Sequence, residues 1–247
     1  KDHYERKYLH ESDITQIDAI EATGIPTSRF TAVVQFFPKY FRGGDVLEIG
    51  AGSGHVAKTL LLSDSRINTY TLGDISTVRV EAVRRNVGDG RVNAIELDAE
   101  SISESEYGKY DAVIMMALIE HLIDPLGAMQ SISRLLKPGG FVYIDTPNVA
   151  KYTRRMRLLM GKFPSTAAKN EGLTTFSGDP VDLHDEGHLH YFTYRSLSLM
   201  LTERCGFSRI VKLPYPGGRA VFGTHIHMWL ARLWPEMFSE LALIAYR

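Results

Sequence analysis

Val46-Leu47-Glu48-Ile49-Gly50-Ala51-Gly52-Ser53-Gly54 is the stretch on which the fold turns. A short apolar run, Asp45 to Ile49, feeds straight into glycines at alternate positions, and a helix-like pattern follows from His55 to Leu62. Glycine lets the main chain turn sharply and lets a ligand come close to it. Three alternating glycines are more than a bare strand–helix turn requires.

Working outward, strands and helices alternate. Thr69 to Gly73 reads as a second strand, Val78 to Asn86 as a helix, Val92 to Leu97 as a third strand, and Asp111 to Met116 as a fourth. The fourth is an unbroken apolar run, as a strand buried on both faces should be. Pro125 to Leu136 reads as a helix ended by Lys137-Pro138-Gly139-Gly140, and Phe141 to Asp145 as a fifth strand. After an excursion over residues 147–190, Thr193 to Cys205 is helical and Ser208 to Leu213 extended. Phe222 to Leu233 is helical, and Leu241 to Tyr246 is a last strand. This rhythm predicts an α/β fold with a mainly parallel sheet and helices on both faces. Residues 1–41 form a helical lead-in, with one helix from Ser12 or Asp13 to about Thr23 and a second from Ser28 to Phe41. Residues 42–247 form the main domain, and the 147–190 excursion is long enough to be a lid or binding loop.

Composition bounds the function. The 247 residues are 44% apolar and 23% charged, which excludes a disordered chain, a collagen and a coiled coil. With 28 basic and 29 acidic side chains the formal charge is −1, so a general nucleic-acid binder is not expected. The single cysteine, Cys205, excludes an intrachain disulfide and a cysteine-based metal site, and suits a reducing, cytoplasmic setting. Apolar runs such as Ala112 to Leu118 fall far short of the roughly 20 residues of a membrane span. No signal peptide is visible, although the sequence opens on Lys1.

Two ligand classes compete for the glycine turn. Dinucleotide folds use G-x-G-x-x-G to seat a pyrophosphate. Here the spacing is G-x-G-x-G, and Glu48 stands two residues before the first glycine. A carboxylate repels a pyrophosphate but pairs with a cation. S-adenosylmethionine (SAM) carries a sulfonium and an α-ammonium and no phosphate, so the charge pattern favours it over NAD. Asp74, ending the second strand in Gly73-Asp74-Ile75-Ser76, is placed to accept ribose hydroxyls. Asp98, ending the third in Leu97-Asp98-Ala99-Glu100, is placed to accept from an adenine amino group. Both sit at strand carboxyl ends, where open α/β sheets bind ligands.

With these motifs in order, the chain resembles a class I SAM-dependent methyltransferase over residues 40–247. VLEIGAGSG resembles the family's first motif, GDIS its ribose motif and LDAES its adenine motif. YDAVIMMALIEHLIDP with LLKPGGFVYIDTPN resembles the fourth- and fifth-strand segments of the ubiquinone-biosynthesis type. GHLHYFTYRSLSLMLTERCGF resembles a segment shared with MetW-like enzymes. The resemblance implies a Rossmann-like seven-stranded sheet whose last strand is antiparallel and lies between the fifth and sixth. It also implies SAM as cofactor, with S-adenosylhomocysteine as product. By the same resemblance Glu48, Gly50, Ala51, Gly52 and Gly54 line the methionine portion, Asp74 and Ile75 the ribose, Asp98 and Ala99 the adenine, and Met115, Met116 and Ala117 the sulfonium. Some quinone O-methyltransferases hold a divalent metal with a Glu-His pair and an acid three residues before it. Here Ala117 occupies that place ahead of Glu120 and His121, so no metal is expected, and the pair is expected to order the loop after the fourth strand.

His184, Asp185, Glu186, His188 and His190 cluster after the excursion. A neutral imidazole can take a hydroxyl proton, His and carboxylate can ligate a metal, and the same residues can anchor a lid. His188 and His190 are the candidate bases. Arg154, Arg155, His184 and Tyr191 are candidate contacts to an acceptor, and the basic run at 151–162 suits an anionic one. His225 and His227 are read as packing or surface residues. The expected chemistry is in-line methyl transfer to oxygen of a small-molecule, glycan or lipid-linked acceptor, the protein supplying positioning and desolvation. Alternatives are N- or C-methylation, a non-catalytic SAM-binding protein, and an NAD-dependent oxidoreductase. Met115-Met116-Ala117-Leu118 stands where amino-group base methyltransferases carry an Asn/Asp-Pro-Pro-aromatic motif, so nucleic-acid base methylation is not expected.

Overall fold

Alternation along the strands decides which side chains meet which helices. In the computed structural model, which describes residues 17–22, 24–106, 108–166, 188–215, 224–238 and 240–247, the strands are β1 Gly44–Ile49, β2 Ile67–Asp74, β3 Val92–Glu96, β4 Tyr110–Met116, β5 Leu136–Pro147, β6 Arg209–Lys212 and β7 Glu240–Tyr246. Odd and even positions of one strand face opposite layers. Val46, Tyr70, Leu72, Ala112, Ile114, Phe141, Tyr143 and Ile244 join one buried cluster, and Leu47, Ile49, Val113, Met115, Val142, Ile144 and Leu243 join the other. The first cluster is covered by α1 (Arg29–Tyr40), α2 (His55–Ser63) and α3 (Thr77–Val87). The second is covered by α4 (Pro125–Leu135) and α6 (Tyr194–Arg204). The remaining described helices are α5 (Tyr152–Leu159) and α7 (Thr224–Leu233).

The seven strands run in the order β3-β2-β1-β4-β5-β7-β6. β1 pairs in parallel with both β2 and β4, and β7 is antiparallel to β5 and β6. The last strand therefore lies between the fifth and the sixth and runs against them. The chain winds outward from β1 through β2 and β3, then returns to the other side of β1 as β4. That reversal opens a crevice at the carboxyl ends of β1 and β4, where ligands of doubly wound sheets sit.

Two expectations change. β5 starts at Leu136 rather than Phe141, so Lys137-Pro138-Gly139-Gly140 belongs to the strand run and is absorbed by a register shift opposite Tyr110 and Ala112. A Cβ at Gly140 would lie 2.9 Å from the Asp111 carbonyl oxygen, so only glycine allows that approach. Half of the expected helix from Ser12 to Thr23 falls outside the described residues. At 17–22 the chain is not helical, because the Ile20 amide donates to Thr59 Oγ1 (2.8 Å) and Lys58 Nζ to the Ile17 carbonyl (2.6 Å), tying the segment to α2. Ser28 caps α1 as its sequence suggests, its hydroxyl accepting from the Thr31 amide.

Candidate cofactor and acceptor site

The glycine turn adopts the backbone its composition permits. Gly50, Gly52 and Gly54 have φ of +77°, +53° and +88°, the left-handed region that side chains avoid. They differ in surroundings. A Cβ at Gly54 would sit 2.8 Å from Val87 Cγ2, whereas one at Gly52 meets nothing within 4 Å. Gly54 is therefore fixed by packing against α3, and Gly52 leaves open space along the main chain.

That space belongs to a cavity of about 520 Å³ at the carboxyl ends of β1, β2 and β4. Glu48, the 50–54 turn, Asp74, Ile75, Asp98, Ala99, Met116 and Ala117 all line it, so the fold brings these sequence candidates together. Met115 is not among the lining residues. Strand alternation turns it into the buried cluster beneath α4, one position before Met116 reaches the cavity.

Electrostatics set the character of the cavity. Glu48 is 1% exposed, and burial pushes its carboxyl up to about 8. The Tyr70 hydroxyl donates to Glu48 Oε2 at 2.7 Å, which works against that rise, and the Asp74 charge adds to it. Asp74 Oδ1 accepts from the Ser76 amide at 3.0 Å, and Oδ2 lies 3.7 Å from Arg79, another lining residue. Asp98 is exposed, and its Oδ1 accepts from the Glu100 amide at 2.9 Å. Ala117 is the one described non-glycine residue with positive φ, +43°. Its amide donates to both the carbonyl and the Oδ1 of Asp145, a fully buried acid that desolvation pushes up to about 7.

The opposite wall comes from the loop after β4 and from residue 188. Glu120 is buried, and desolvation raises its carboxyl to about 8. Thr146 Oγ1 donates to its Oε2 at 2.8 Å, and its Oε1 is without a partner. The Glu120 carbonyl accepts from the Leu189 and His190 amides, so this residue orders the returning chain as well as its own loop. His188 is thereby held in the cavity wall, buried, with Nδ1 2.7 Å from Thr166 Oγ1 and its ring edge-on to His121 at 4.8 Å.

The other acceptor candidates lie elsewhere. His190 points away from the cavity, its Nε2 3.3 Å from the Ile123 carbonyl. Arg154 is not a lining residue, because its guanidinium donates to the Asn148 and Ser165 carbonyls (2.7 and 2.8 Å) and closes the turn around α5. Arg155 is exposed on α5, its Nε donating to the Ala150 carbonyl, and Tyr191 packs edge-on against Phe163. His184, with Asp185 and Glu186, lies outside the described residues. His227 is buried against the Phe238 ring and His225 is exposed, both as expected of packing and surface positions.

The family model described as a methyltransferase domain matches residues 27–212. The chain belongs to this methyltransferase family. Among curated relatives of this methyltransferase, the ubiquinone biosynthesis O-methyltransferase of Leptothrix cholodnii is 30% identical over 106 residues, covering 43% of this chain and 45% of the relative. That of Nitrosospira multiformis is 29% identical over 106 residues, 43% and 44% of the two chains. The matches thus span less than half the length of these relatives. Among solved structures, a SAM-dependent methyltransferase from Archaeoglobus fulgidus superposes with a TM-score of 0.56 at 16% identity, over 88% of this chain and 92% of that one. The carbon-methyltransferase domain of the citrinin polyketide synthase does so at 0.54 and 17%, over 82% and 46%. The sheet is that of the class I methyltransferase fold.

Several residues of the methyltransferase site escape sequence reading. Tyr70 lies on the sheet neighbour of β1, and Arg29 at the start of α1 reaches the cavity edge. Glu120, His121 and His188 bring one ligand atom each within 4.8 Å of one another. The expectation of no metal rested on Ala117 alone. The fold adds His188 from a distant part of the chain, and a carboxylate with two imidazoles suits a divalent transition ion. The unpartnered Glu120 Oε1 fits such a role.

Proposed function

We propose that this methyltransferase domain moves a methyl group from SAM to a hydroxyl oxygen of a small-molecule, glycan or lipid-linked acceptor, with His188 taking the hydroxyl proton. One observation carries the reading: the glycine turn, Glu48, Asp74 and Asp98 share one cavity with His188. When bound, SAM supplies an activated methyl group and a neutral thioether leaving group. The chain supplies the rest. Glu48 beside the amino end of α2 offers an acid and free amides together, which suits a zwitterionic amino-acid group. Asp74 is placed for ribose hydroxyls and Asp98 for the adenine edge. Thr166 Oγ1, 2.7 Å from His188 Nδ1, helps to fix the imidazole ring in the cavity wall. His188 would take the proton that the acceptor hydroxyl gives up as its oxygen accepts the methyl group. Oxygen as acceptor follows the name of the curated relatives, ubiquinone biosynthesis O-methyltransferase. The continuation of the cavity to His121 and His188 speaks for turnover rather than SAM binding alone. No described helix is long and apolar enough to cross a membrane, and cytoplasmic residence belongs to the same proposal. The single Cys205 supports it, its thiol buried and pushed up to about 11 by desolvation.

A second reading has its own observation, the three-donor cluster. Glu120, His121 and His188 would hold a divalent cation there, which would lower the pKa of a bound acceptor hydroxyl. Calorimetry with SAM, S-adenosylhomocysteine and NAD tests the cofactor: binding of the first two and not the third is expected, and a preference for NAD overturns the proposal. His121→Ala separates the two readings. It leaves turnover within about threefold if His188 acts as a base, and removes most of it if the cluster must hold a metal.

A further inference from the structure

Both tryptophans of the chain are on the outside. Trp229 and Trp234 are each 59% exposed, at the centre and just beyond the end of α7. The helix is apolar on two sides. His227, Met228 and Ala231 pack inward, while Ile226, Trp229 and Leu233 form an outward stripe at helical spacing. α5 repeats the pattern, with no buried residue at all. Met156, Leu159 and Met160 share an exposed face, Leu159 at 79%, and Leu158 is exposed beside them. The chain just before α5 is tied to the chain just after α7. Asn148, just before α5, donates to the Glu236 and Phe238 carbonyls just after α7, and Arg155 lies within Coulombic reach of Glu236. Single exposed apolar side chains are ordinary, but two helices tied in this way, with apolar outer faces, form an interaction surface.

The charge around this surface selects the partner. Residues 149–166 contain Lys151, Arg154, Arg155, Arg157 and Lys162 and no acid, and residues 224–235 contain Arg232 and no acid, in a chain whose formal charge is −1. A second copy docked face to face would bring these cations together. An anionic phospholipid surface meets them with the opposite sign and takes tryptophan at its interfacial layer. We infer that α5 and α7 form a docking face that lays this methyltransferase domain on the surface of an anionic phospholipid bilayer. No described helix can span a bilayer, so this is attachment in the plane of the interface. The face borders the acceptor side of the cavity: α5 leads through Ser165 to Thr166, the residue bonded to His188. The inference does not depend on the proposed methyl transfer and would stand if that failed.

The tryptophans report on the face without labels. The full chain is titrated with vesicles of phosphatidylcholine alone and of phosphatidylcholine with phosphatidylglycerol, and emission wavelength and flotation are read. A blue shift and flotation are expected with the anionic vesicles only, with apparent affinity falling about tenfold or more between about 0.1 M and 0.5 M salt. Arg155→Glu with Lys162→Glu should weaken binding by about tenfold, and Met156→Ser with Leu159→Ser should abolish flotation; all four side chains are exposed, so folding is retained. Unshifted emission at saturating anionic lipid, equal binding to neutral vesicles, or a lipid-free blue shift that grows with protein concentration would overturn the inference, the last in favour of self-association.

Discussion

Glu48 makes the cofactor site pH-dependent in a way that can be worked out in advance. Burial raises its carboxyl to about 8, so in the empty cavity at neutral pH it is mostly protonated. If the ligand's ammonium pairs with the ionised form, binding must release that proton, and the apparent dissociation constant scales as one plus the ratio of protonated to ionised carboxyl. With a pKa of about 8 that factor is about 100 at pH 6, about 11 at pH 7 and about 2 at pH 8, so affinity should rise about fiftyfold from pH 6 to pH 8. The assay is calorimetric titration with S-adenosylhomocysteine at pH 6, 7 and 8, in two buffers of different ionisation enthalpy so that proton release is counted directly. Glu48→Gln keeps an acceptor for the Tyr70 hydroxyl but removes the charge. It should bind more weakly at pH 8, show little pH dependence and release no proton. Tyr70→Phe removes the one hydrogen bond that favours the ionised form, so its binding curve should shift to higher pH. A wild-type affinity that is flat between pH 6 and pH 8, with no proton released, would refute the reasoning, as would a Glu48→Gln variant indistinguishable from wild type.

The same buried acids act on the empty fold. Glu48, Glu120 and Asp145 have native carboxyls raised to about 8, 8 and 7, so the native state binds more protons than the unfolded chain above the ordinary carboxylate range, and thermal stability should fall as pH rises from about 5 to about 8. Glu48→Gln should flatten that decline in thermal melts, and a melting temperature that rises over this range would count against the burial argument. His188→Ala should lower turnover about a hundredfold, whereas His190→Ala, outside the cavity, should stay within about threefold; equal losses in steady-state kinetics would deny His188 its special place. Gly54→Ala should cost about 2 kcal/mol or more in denaturant melts, since positive φ and the Val87 contact both oppose a side chain. Gly52→Ala should cost less, about 1 kcal/mol, yet weaken S-adenosylhomocysteine binding. Ala117→Gly should raise melting temperature by relieving a φ of +43°, and a fall would show that no strain is held there.

Much of the architecture is legible because the strands are short apolar runs bounded by turn residues. β1, β2 and β4 need no tertiary information to be found, and the alternating glycines mark the turn between β1 and α2. The antiparallel course of β7 is different: nothing in Leu241 to Tyr246 encodes its direction, which came from resemblance and is realised through its pairing with β5. The start of β5 is hidden in the sequence because Pro and Gly normally end a segment, whereas here they form an irregularity inside a paired strand. At the site, Met115 could have been set aside by parity alone, since neighbouring strand residues face opposite layers. Arg154 could not, because its three-dimensional partners are main-chain carbonyls that no pattern announces. The same holds for His188 beside His121. Their meeting depends on the Glu120 carbonyl catching the chain as it returns from the excursion, a contact between segments far apart in sequence.

Taken together, the cavity is a place where the fold accepts unfavourable electrostatics. A protein of this size can bury apolar side chains at every one of these positions, yet Glu48, Glu120 and Asp145 are buried carboxyls whose ionised forms the interior disfavours. Each is held by a specific neighbour: Tyr70 for Glu48, Thr146 for Glu120, and the strained Ala117 amide for Asp145. Such groups destabilise an empty protein at neutral and alkaline pH, and a ligand that brings positive charge to them recovers part of that energy on binding. A pyrophosphate would add to the destabilisation instead. The arrangement therefore discriminates between cofactor classes by what the apo cavity lacks, and this holds whichever acceptor the His188 side receives.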